Sequence, residues 1–164
     1  MSDQNATAGD CVVERVMNAP AELVWKMWTE PEHFKQWYGP HGATIPVAEI
    51  DARVGGKHLF CMQMQTPNGE MEMWSTGEFT EMKPYTRIVY TDSMSDKDGN
   101  VVSPQAMGMP EGYPETTIVT ITLEALDNGQ TKMVLTHSGV PAQAAGGWSQ
   151  AFEKMVPVLE TASA

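Results

Sequence analysis

The sequence predicts an α+β fold in which one long C-terminal helix covers a mostly antiparallel sheet of seven strands. Three observations support this fold. Alternating apolar and polar residues, the pattern of strands, recur along the chain. Near the N-terminus only two short helical patterns interrupt this alternation. The helical pattern at the C-terminus is the longest. The sheet must bury one face, and that helix is the only large element able to cover it. Because a strongly twisted sheet cannot close tightly around one helix, we expect a cavity between them.

The predicted elements follow one another between clear start and stop signals. A first helix begins at Pro20, which suits the first helical position, and a second follows Pro31 and ends before Gly39. Pro46 indicates that the second strand lies at a sheet edge or contains a bulge, and Pro157 predicts that the last helix kinks or ends early. Strands are predicted at residues 11–17, 43–50, 58–65, 71–82, 87–91, 116–124 and 131–138, and the long helix follows Pro141.

Length and composition predict one cytoplasmic domain. The 164 residues are enough for a single core, which we place at residues 11–161 after a flexible tail of residues 1–10. Residues 94–114 carry three prolines and three glycines without an apolar period, so we expect a functional or mobile loop there. The chain has two cysteines, no signal-peptide pattern and no apolar run of ~18 residues, which favours a cytoplasmic protein with reduced thiols.

The charge distribution excludes two classes of partner. Ten Lys and Arg against 21 Asp and Glu give a net charge of −11, and no two basic residues are adjacent. A protein that binds nucleic acid or an anionic membrane needs a basic patch facing the phosphates. We therefore expect no nucleic-acid partner and no membrane partner. The sequence leaves open whether the protein is a monomer or a homodimer.

Several short motifs occur in a fixed order along the chain. They are Pro20 with Val24-Trp25, Pro31 with Phe34 and Trp37, Asp51-x-Arg53-x-Gly55-Gly56, Gly77, Pro84 and Arg87, Thr136-His137-Ser138-Gly139, and Gly147-Trp148. With these motifs, residues 12–160 resemble the activator of heat-shock-protein-90 ATPase homologue family, in the START-like (SRPBCC) superfamily. The resemblance implies the helix-grip fold and an apolar cavity under the last helix. It implies no single activity, since the superfamily hosts carriers, cyclases, hydrolases and partner-binding domains.

The 13 methionines are the most informative feature of the composition. A two-residue turn at residues 67–68 places Met64 opposite Met71. The same register places Met62 opposite Met73, so that all four side chains share one face of the sheet. Three interpretations stay open: ordinary core, a deformable lining for an apolar ligand, and a thioether site for Cu(I).

An apolar cavity between the sheet and the last helix is the predicted ligand site. The helix contributes a stripe of apolar residues, and alternate residues of the sixth strand lie opposite it. The predicted lining comprises Met62, Met64, Met71, Met73, Phe79, Tyr90, Val119, Ile121, Trp148, Phe152 and Met155. No histidine pair has metal-ligand spacing and no dinucleotide motif occurs, so no metal and no cofactor are predicted.

No residue of the sequence is identified as catalytic. A two-residue turn at residues 128–129 would place His137 opposite Thr120 and turn its ring away from the helix, which argues against a buried base. Asp51 and Arg53 flank a Gly-Gly turn, and we expect them to brace it as an ion pair.

The sequence thus favours a small-molecule-binding protein that holds an apolar or aromatic ligand between the sheet and the last helix. Two alternatives stay open. One is a chaperone-accessory or other protein-interaction domain, which the family resemblance suggests. The other is a cyclase-like or hydrolase-like enzyme using the same cavity, which would need a titratable group inside it; the sequence offers only weak candidates for that group.

Overall fold

A computed structural model describes residues 10–107, 114–140 and 144–162. In chain order the elements are β1 (Asp10–Met17), α1 (Ala21–Thr29), α2 (Pro31–Trp37), β2 (Thr44–Ile50), β3 (Lys57–Thr66), β4 (Gly69–Lys83), β5 (Arg87–Ser95), a single turn of 3-10 helix (Pro104–Met107), β6 (Thr116–Ala125), β7 (Thr131–Ser138) and α3 (Ala145–Ala162). The predicted α+β helix-grip arrangement is confirmed. The tail predicted for residues 1–10 falls, apart from Asp10, outside the described residues.

The sheet has seven strands in the order β1-β7-β6-β5-β4-β3-β2, and each neighbouring pair is antiparallel. Strand β2 is therefore an edge strand, and its register with β3 shifts between Thr44 and Val47. Pro46 lies inside this irregularity, where its missing N–H removes no ladder hydrogen bond. Both features predicted from Pro46, an edge position and a bulge, are confirmed.

Two tryptophans of the short helices anchor the core between the sheet and α3. Trp28 of α1 and Trp37 of α2 meet edge to face at 4.7 Å between ring centroids, and each lies just over 6 Å from Phe152 of α3. Both indole N–H groups have partners, since Trp28 Nε1 donates to Met133 Sδ and Trp37 Nε1 donates to the Met27 carbonyl. The rings therefore bury large apolar area without leaving a donor unsatisfied.

Helix α3 continues through Pro157 to Ala162, so it does not end early, and the kink that was the other expectation from Pro157 stays a prediction. Pro157 has no N–H to donate to the carbonyl of Glu153, four residues earlier. Both residues lie on the exposed side of the helix, where water can bond that carbonyl. The cost of the proline is thus reduced by its position, and the buried residues Val158 and Leu159 beyond it still pack on the core.

The segment predicted as one long loop is partly ordered. Strand β5 runs to Ser95, and a tight turn follows in which Asp96 accepts hydrogen bonds from the backbone N–H groups of Asp98 and Asn100. Val101 then forms an isolated bridge with Ser95. Residues 108–113 lie outside the described part of the chain, and there the loop stays a prediction. No helix in the described ranges is long and apolar enough to cross a membrane.

Candidate functional site

A pocket of about 210 Å³ opens at the end of the sheet where β3, β4 and β5 meet the residues that precede β6. Its apolar walls are formed by Tyr38, Phe60, Met62, Met73, Trp74, Met94, Pro104 and Pro114. Its polar residues are Ser75, Asp92, Glu115, Thr117 and His137. The pocket thus combines a mostly apolar wall with a few polar groups, as small-molecule sites do.

A smaller pocket of about 140 Å³ lies between the end of α2 and the start of α3. Its walls include Tyr38, Met62 and Trp148, so the first two residues belong to both pockets. Tyr38 caps the C-terminus of α2, and its ring stacks on Phe34 of that helix at 4.4 Å. The stacking fixes the position of an aromatic ring that lines both pockets.

Asp92 places a carboxyl group in the larger pocket. Along β5, Ile88 and Tyr90 are buried in the core, and Asp92 and Met94 continue the same alternation into the pocket wall. Asp92 Oδ1 is buried and has no hydrogen-bond partner among the described residues. Burial raises the pKa of Asp92 from 3.8 to about 7, and a hydrogen bond with the Ser75 side chain opposes the rise. This carboxyl therefore changes its charge near neutral pH.

Two tyrosine hydroxyls lie close to this carboxyl. Burial raises the pKa of both Tyr38 and Tyr90 far above the ordinary value, and the negative charge of Asp92 adds to the rise. The Tyr90 hydroxyl is buried without a hydrogen-bond partner of good geometry among the described residues. Both phenols are therefore neutral donors at physiological pH.

A chain of hydrogen bonds joins α3 to the backbone of Asp92. Trp148 Nε1 donates to His137 Nδ1 at 3.2 Å, which makes Nδ1 an acceptor and leaves the proton on Nε2. His137 Nε2 lies 2.8 Å from Thr117 Oγ1, and that hydroxyl donates to the Asp92 carbonyl at 3.3 Å. Burial lowers the pKa of His137 to about 4, so the ring is neutral above that pH. His137 is therefore a neutral residue whose two ring nitrogens connect Trp148 of α3 to Thr117 in the pocket wall.

His58 is a core residue packed close to the same site. Its ring stacks on Phe60 at 4.4 Å, and its Nε2 lies 2.8 Å from the Thr91 carbonyl. Burial lowers the pKa of His58 to about 4. Gly77 leaves room for the His58 ring, because a Cβ at position 77 would lie only 2.6 Å from His58 Nε2.

The residues predicted to line one cavity lie in different parts of the structure, and Met64 lines neither pocket. The methionine register is as predicted, with Met62 opposite Met73 and Met64 opposite Met71. Met62 and Met73 line the larger pocket, and Met71 lies farther along the hairpin and is exposed. Trp148 lines the smaller pocket, and the buried core holds Phe79, Tyr90, Val119, Ile121, Phe152 and Met155.

The predicted orientation of His137 is wrong. The connection between β6 and β7 has five residues, 126–130, in place of the two expected, and it closes with Leu126 N–H donating to the Gln130 carbonyl. An odd loop shifts the register by one residue, so His137 pairs with Val119 on the side that faces α3. The ion pair predicted for Asp51 and Arg53 is confirmed, with Arg53 Nη2 2.9 Å from Asp51 Oδ2 on an exposed turn.

Sequence reasoning misses Asp92 and Tyr38. The sequence predicts that the fifth strand ends at Thr91, one residue before the acid, and in the structure it runs on to Ser95. Ile88 and Tyr90 alternate along the strand, and continuing this alternation by two residues places the Asp92 carboxyl on the inward face. This pattern could have predicted Asp92 as a site residue. No group of three or more potential metal ligands occurs among His, Cys, Asp and Glu in the described ranges.

Solved structures with the same fold cover almost the whole chain. A protein from Chromobacterium violaceum is 27% identical, with a TM-score of 0.75 over 93% of this chain and 97% of its own. A protein from Staphylococcus epidermidis is 20% identical, with a TM-score of 0.75 over 98% and 93%. The AHSA1 protein from Silicibacter pomeroyi is 19% identical, with a TM-score of 0.69 over 93% and 99%. A comparison with curated proteins gives no significant match.

The sequence itself matches a family model. The model for activator of Hsp90 ATPase homolog 1-like protein covers residues 18–160, from the residue after β1 to the last turn of α3. This match agrees with the order of elements in the fold and with the motifs of the sequence. The chain therefore belongs to the activator of Hsp90 ATPase homolog 1-like family.

Proposed function

We propose that the protein binds a small apolar or aromatic molecule in the pocket of about 210 Å³. The observation that carries the proposal is the pocket wall, in which aromatic rings and the flexible side chains of Met62, Met73 and Met94 surround a few polar groups. Cavities of about 150 Å³ hold benzene. The pocket therefore suits a ligand with a one-ring body and a short substituent.

The affinity expected for such a ligand is modest. Burial of roughly 300 Å² of apolar contact contributes about 7 kcal/mol at about 25 cal/mol/Å². The loss of translational and rotational freedom on association costs several kcal/mol. About 3–4 kcal/mol then remain, so we expect dissociation constants near the millimolar range, which suit the transport or sensing of a small metabolite.

The proposal can be tested with benzyl alcohol as a neutral one-ring probe. Isotope-labelled methionine methyl groups report binding by nuclear magnetic resonance, and we expect the signals of Met62, Met73 and Met94 to shift together. The Met73→Trp variant fills the pocket and should weaken binding about tenfold or more. Met71→Trp makes the same change two cross-strand pairs farther out, at an exposed position on the same face, and should alter binding less than about twofold.

Two outcomes of this experiment would contradict the proposal. One is equal weakening by Met71→Trp and Met73→Trp, which would mean that the probe binds elsewhere on the hairpin. The other is the absence of any shift at the three pocket methionines. Native mass spectrometry of freshly purified protein complements the titration, because a reproducible organic adduct reports the mass of the natural ligand.

A second candidate function is acid–base catalysis in the same pocket, which the carboxyl of Asp92 favours. With a pKa of about 7, this group is partly protonated at neutral pH and can accept or donate a proton. An enzyme of this kind would lose turnover in Asp92→Asn while keeping substrate binding, and single-turnover assays with candidate substrates would detect the difference. The chaperone-accessory role suggested by the family description stays a prediction.

A further inference from the structure

We infer that the pocket selects ligands that carry a protonated amine on an aromatic or apolar body, with the Asp92 carboxylate as the group that receives the amine. The inference rests on the proposed function and adds a ligand class to it. Three independent features of the pocket support it: the sign of its charge, an unused buried acceptor, and the aromatic composition of its wall.

The charge of the pocket has one sign. Its residues with ionisable side chains are Tyr38, Asp92, Glu115 and His137, and no Lys or Arg belongs to the wall among the described residues. His137 is neutral, since Trp148 donates to its Nδ1. Glu115 and, above its pKa of about 7, Asp92 therefore remain as negative groups without a basic counterpart in the wall. An anionic ligand would be repelled there, and a cationic one would be attracted.

The second feature is an acceptor without a donor. Asp92 Oδ1 is buried and has no hydrogen-bond partner among the described residues. Buried polar atoms in native proteins are nearly always bonded, so an exception calls for an explanation. Asp92 belongs to the wall of the larger pocket, where an ammonium N–H could supply the missing donor. The hydrogen bond would be charge-assisted, which makes it stronger than a neutral one.

The third feature is the aromatic surface beside this carboxyl. Tyr38 and Phe60 lie 5.5 Å apart between ring centroids, and both belong to the pocket wall with Asp92. Aromatic faces attract cations, and methionine sulfur adapts to the shape of a ring. A one-ring amine can therefore place its ring among the methionines and its nitrogen between the aromatic wall and the carboxylate.

Among the ionisable groups with a shifted pKa around the pocket, Asp92 is the one that titrates near neutral pH. The phenols of Tyr38 and Tyr90 stay neutral, and His137 has a pKa of about 4. Ser75 from β4 and Thr117 from β6 do not ionise in this range. Glu115 is an exposed acid before β6, and Lys154 from α3 donates to the carbonyls of Tyr38 and Pro40 without belonging to the wall.

The test compares benzylamine with benzyl alcohol on the full-length protein at about pH 8, by the same methionine signals. We expect benzylamine to bind about tenfold more tightly than the alcohol, and phenylacetate not to bind. Asp92→Asn keeps the shape of the side chain and removes its charge, so the affinities of the amine and the alcohol should become about equal. Glu115→Gln neutralises the exposed acid of the same pocket and should change the preference less than about twofold.

The outcomes separate this inference from the proposed function. If both probes bind equally to the wild type, or if Glu115→Gln removes the preference in place of Asp92→Asn, the assignment of Asp92 is overturned while the binding pocket stands. If neither probe binds, the proposed function fails and the inference fails with it.

A pH series on the wild type keeps the test decisive even if Asp92→Asn does not fold. Asp92 gains its charge as the pH rises through about 7, and benzylamine stays protonated over this range. Its affinity should rise up to about tenfold between about pH 6 and pH 8, while that of benzyl alcohol stays constant. A constant affinity for benzylamine would overturn the inference.

Discussion

Single residues decide how closely β4 and β5 approach next to the pocket. At Gly77 a Cβ would lie 1.8 Å from the Thr91 carbonyl oxygen and 2.6 Å from His58 Nε2. The same carbonyl is within 2.8 Å of His58 Nε2. The absence of a side chain at Gly77 thus permits both the close approach of the strands and the buried imidazole of His58. Glycine is needed here for lack of space and not for an unusual backbone conformation.

Gly77→Ala should therefore be strongly destabilising. The added methyl group would collide with backbone, which cannot move aside as a flexible side chain can. We expect the free energy of unfolding to fall by about 3 kcal/mol or more, measured by urea denaturation. Gly146→Ala is the matched control, because Gly146 lies in α3 and a methyl group added there would meet, apart from its chain neighbours and the backbone of its own helix, no described atom within 4 Å.

For that control we expect a gain of up to about 1 kcal/mol, from helix propensity alone. Equal effects of the two substitutions would contradict the steric argument at Gly77. A loss at Gly77 that disappears in a His58→Ala background would assign the collision to the imidazole and not to the Thr91 carbonyl.

At the scale of elements, α3 is held on the sheet by more than its apolar stripe. Lys154 donates to the carbonyls of Tyr38, Pro40 and Ala43, at 3.2, 3.1 and 3.5 Å, and so ties α3 to the loop after α2. One ammonium thus satisfies three backbone acceptors of a segment without regular structure. These bonds fix the loop after Tyr38, a residue that belongs to both pockets.

Pro157→Ala should stabilise the protein through the same helix. The substitution restores an N–H that can bond the Glu153 carbonyl, which outweighs the added freedom of the unfolded chain. We expect the free energy of unfolding to rise by about 1–2 kcal/mol in urea denaturation. Val156→Ala, at the adjacent exposed position, should change it by less than about 0.5 kcal/mol. A loss of stability in Pro157→Ala would show that the proline is required for α3 to pack.

The sequence predicts elements well, and it predicts registers only where the turn is identified correctly. The hairpin of β3 and β4 has the two-residue turn expected, so the predicted methionine pairs are correct. The hairpin of β6 and β7 closes with five residues, and this odd loop length reverses the side of His137. The ends of strands are also predicted poorly from the sequence. Asp92 pairs with Thr117, so β5 extends beyond the residue at which its apolar alternation stops.

At the scale of the whole molecule, one buried histidine, one partly buried histidine and the partly buried Asp92 have opposite effects on stability in acid. His58 and His137 have pKa values lowered from 6.5 to about 4, so they destabilise the fold as the pH falls through this range. Asp92 has a pKa raised from 3.8 to about 7, so the folded state holds its proton more tightly than the unfolded state does. Its protonation stabilises the fold at low pH and offsets part of the loss from the histidines.

The pH dependence of stability should therefore reveal Asp92. Between about pH 4.5 and pH 6 the unfolded chain binds two protons at the histidines that the folded state lacks, and the folded state keeps one at Asp92. The net difference of about one proton predicts a loss of about 1.4 kcal/mol per pH unit on acidification, and Asp92→Asn should double that slope. Urea denaturation at several pH values measures both slopes, and groups common to the two proteins cancel in the comparison. Identical slopes would mean that the Asp92 carboxyl titrates in the folded protein as it does in the unfolded chain, which would remove the basis for its charge change near neutral pH.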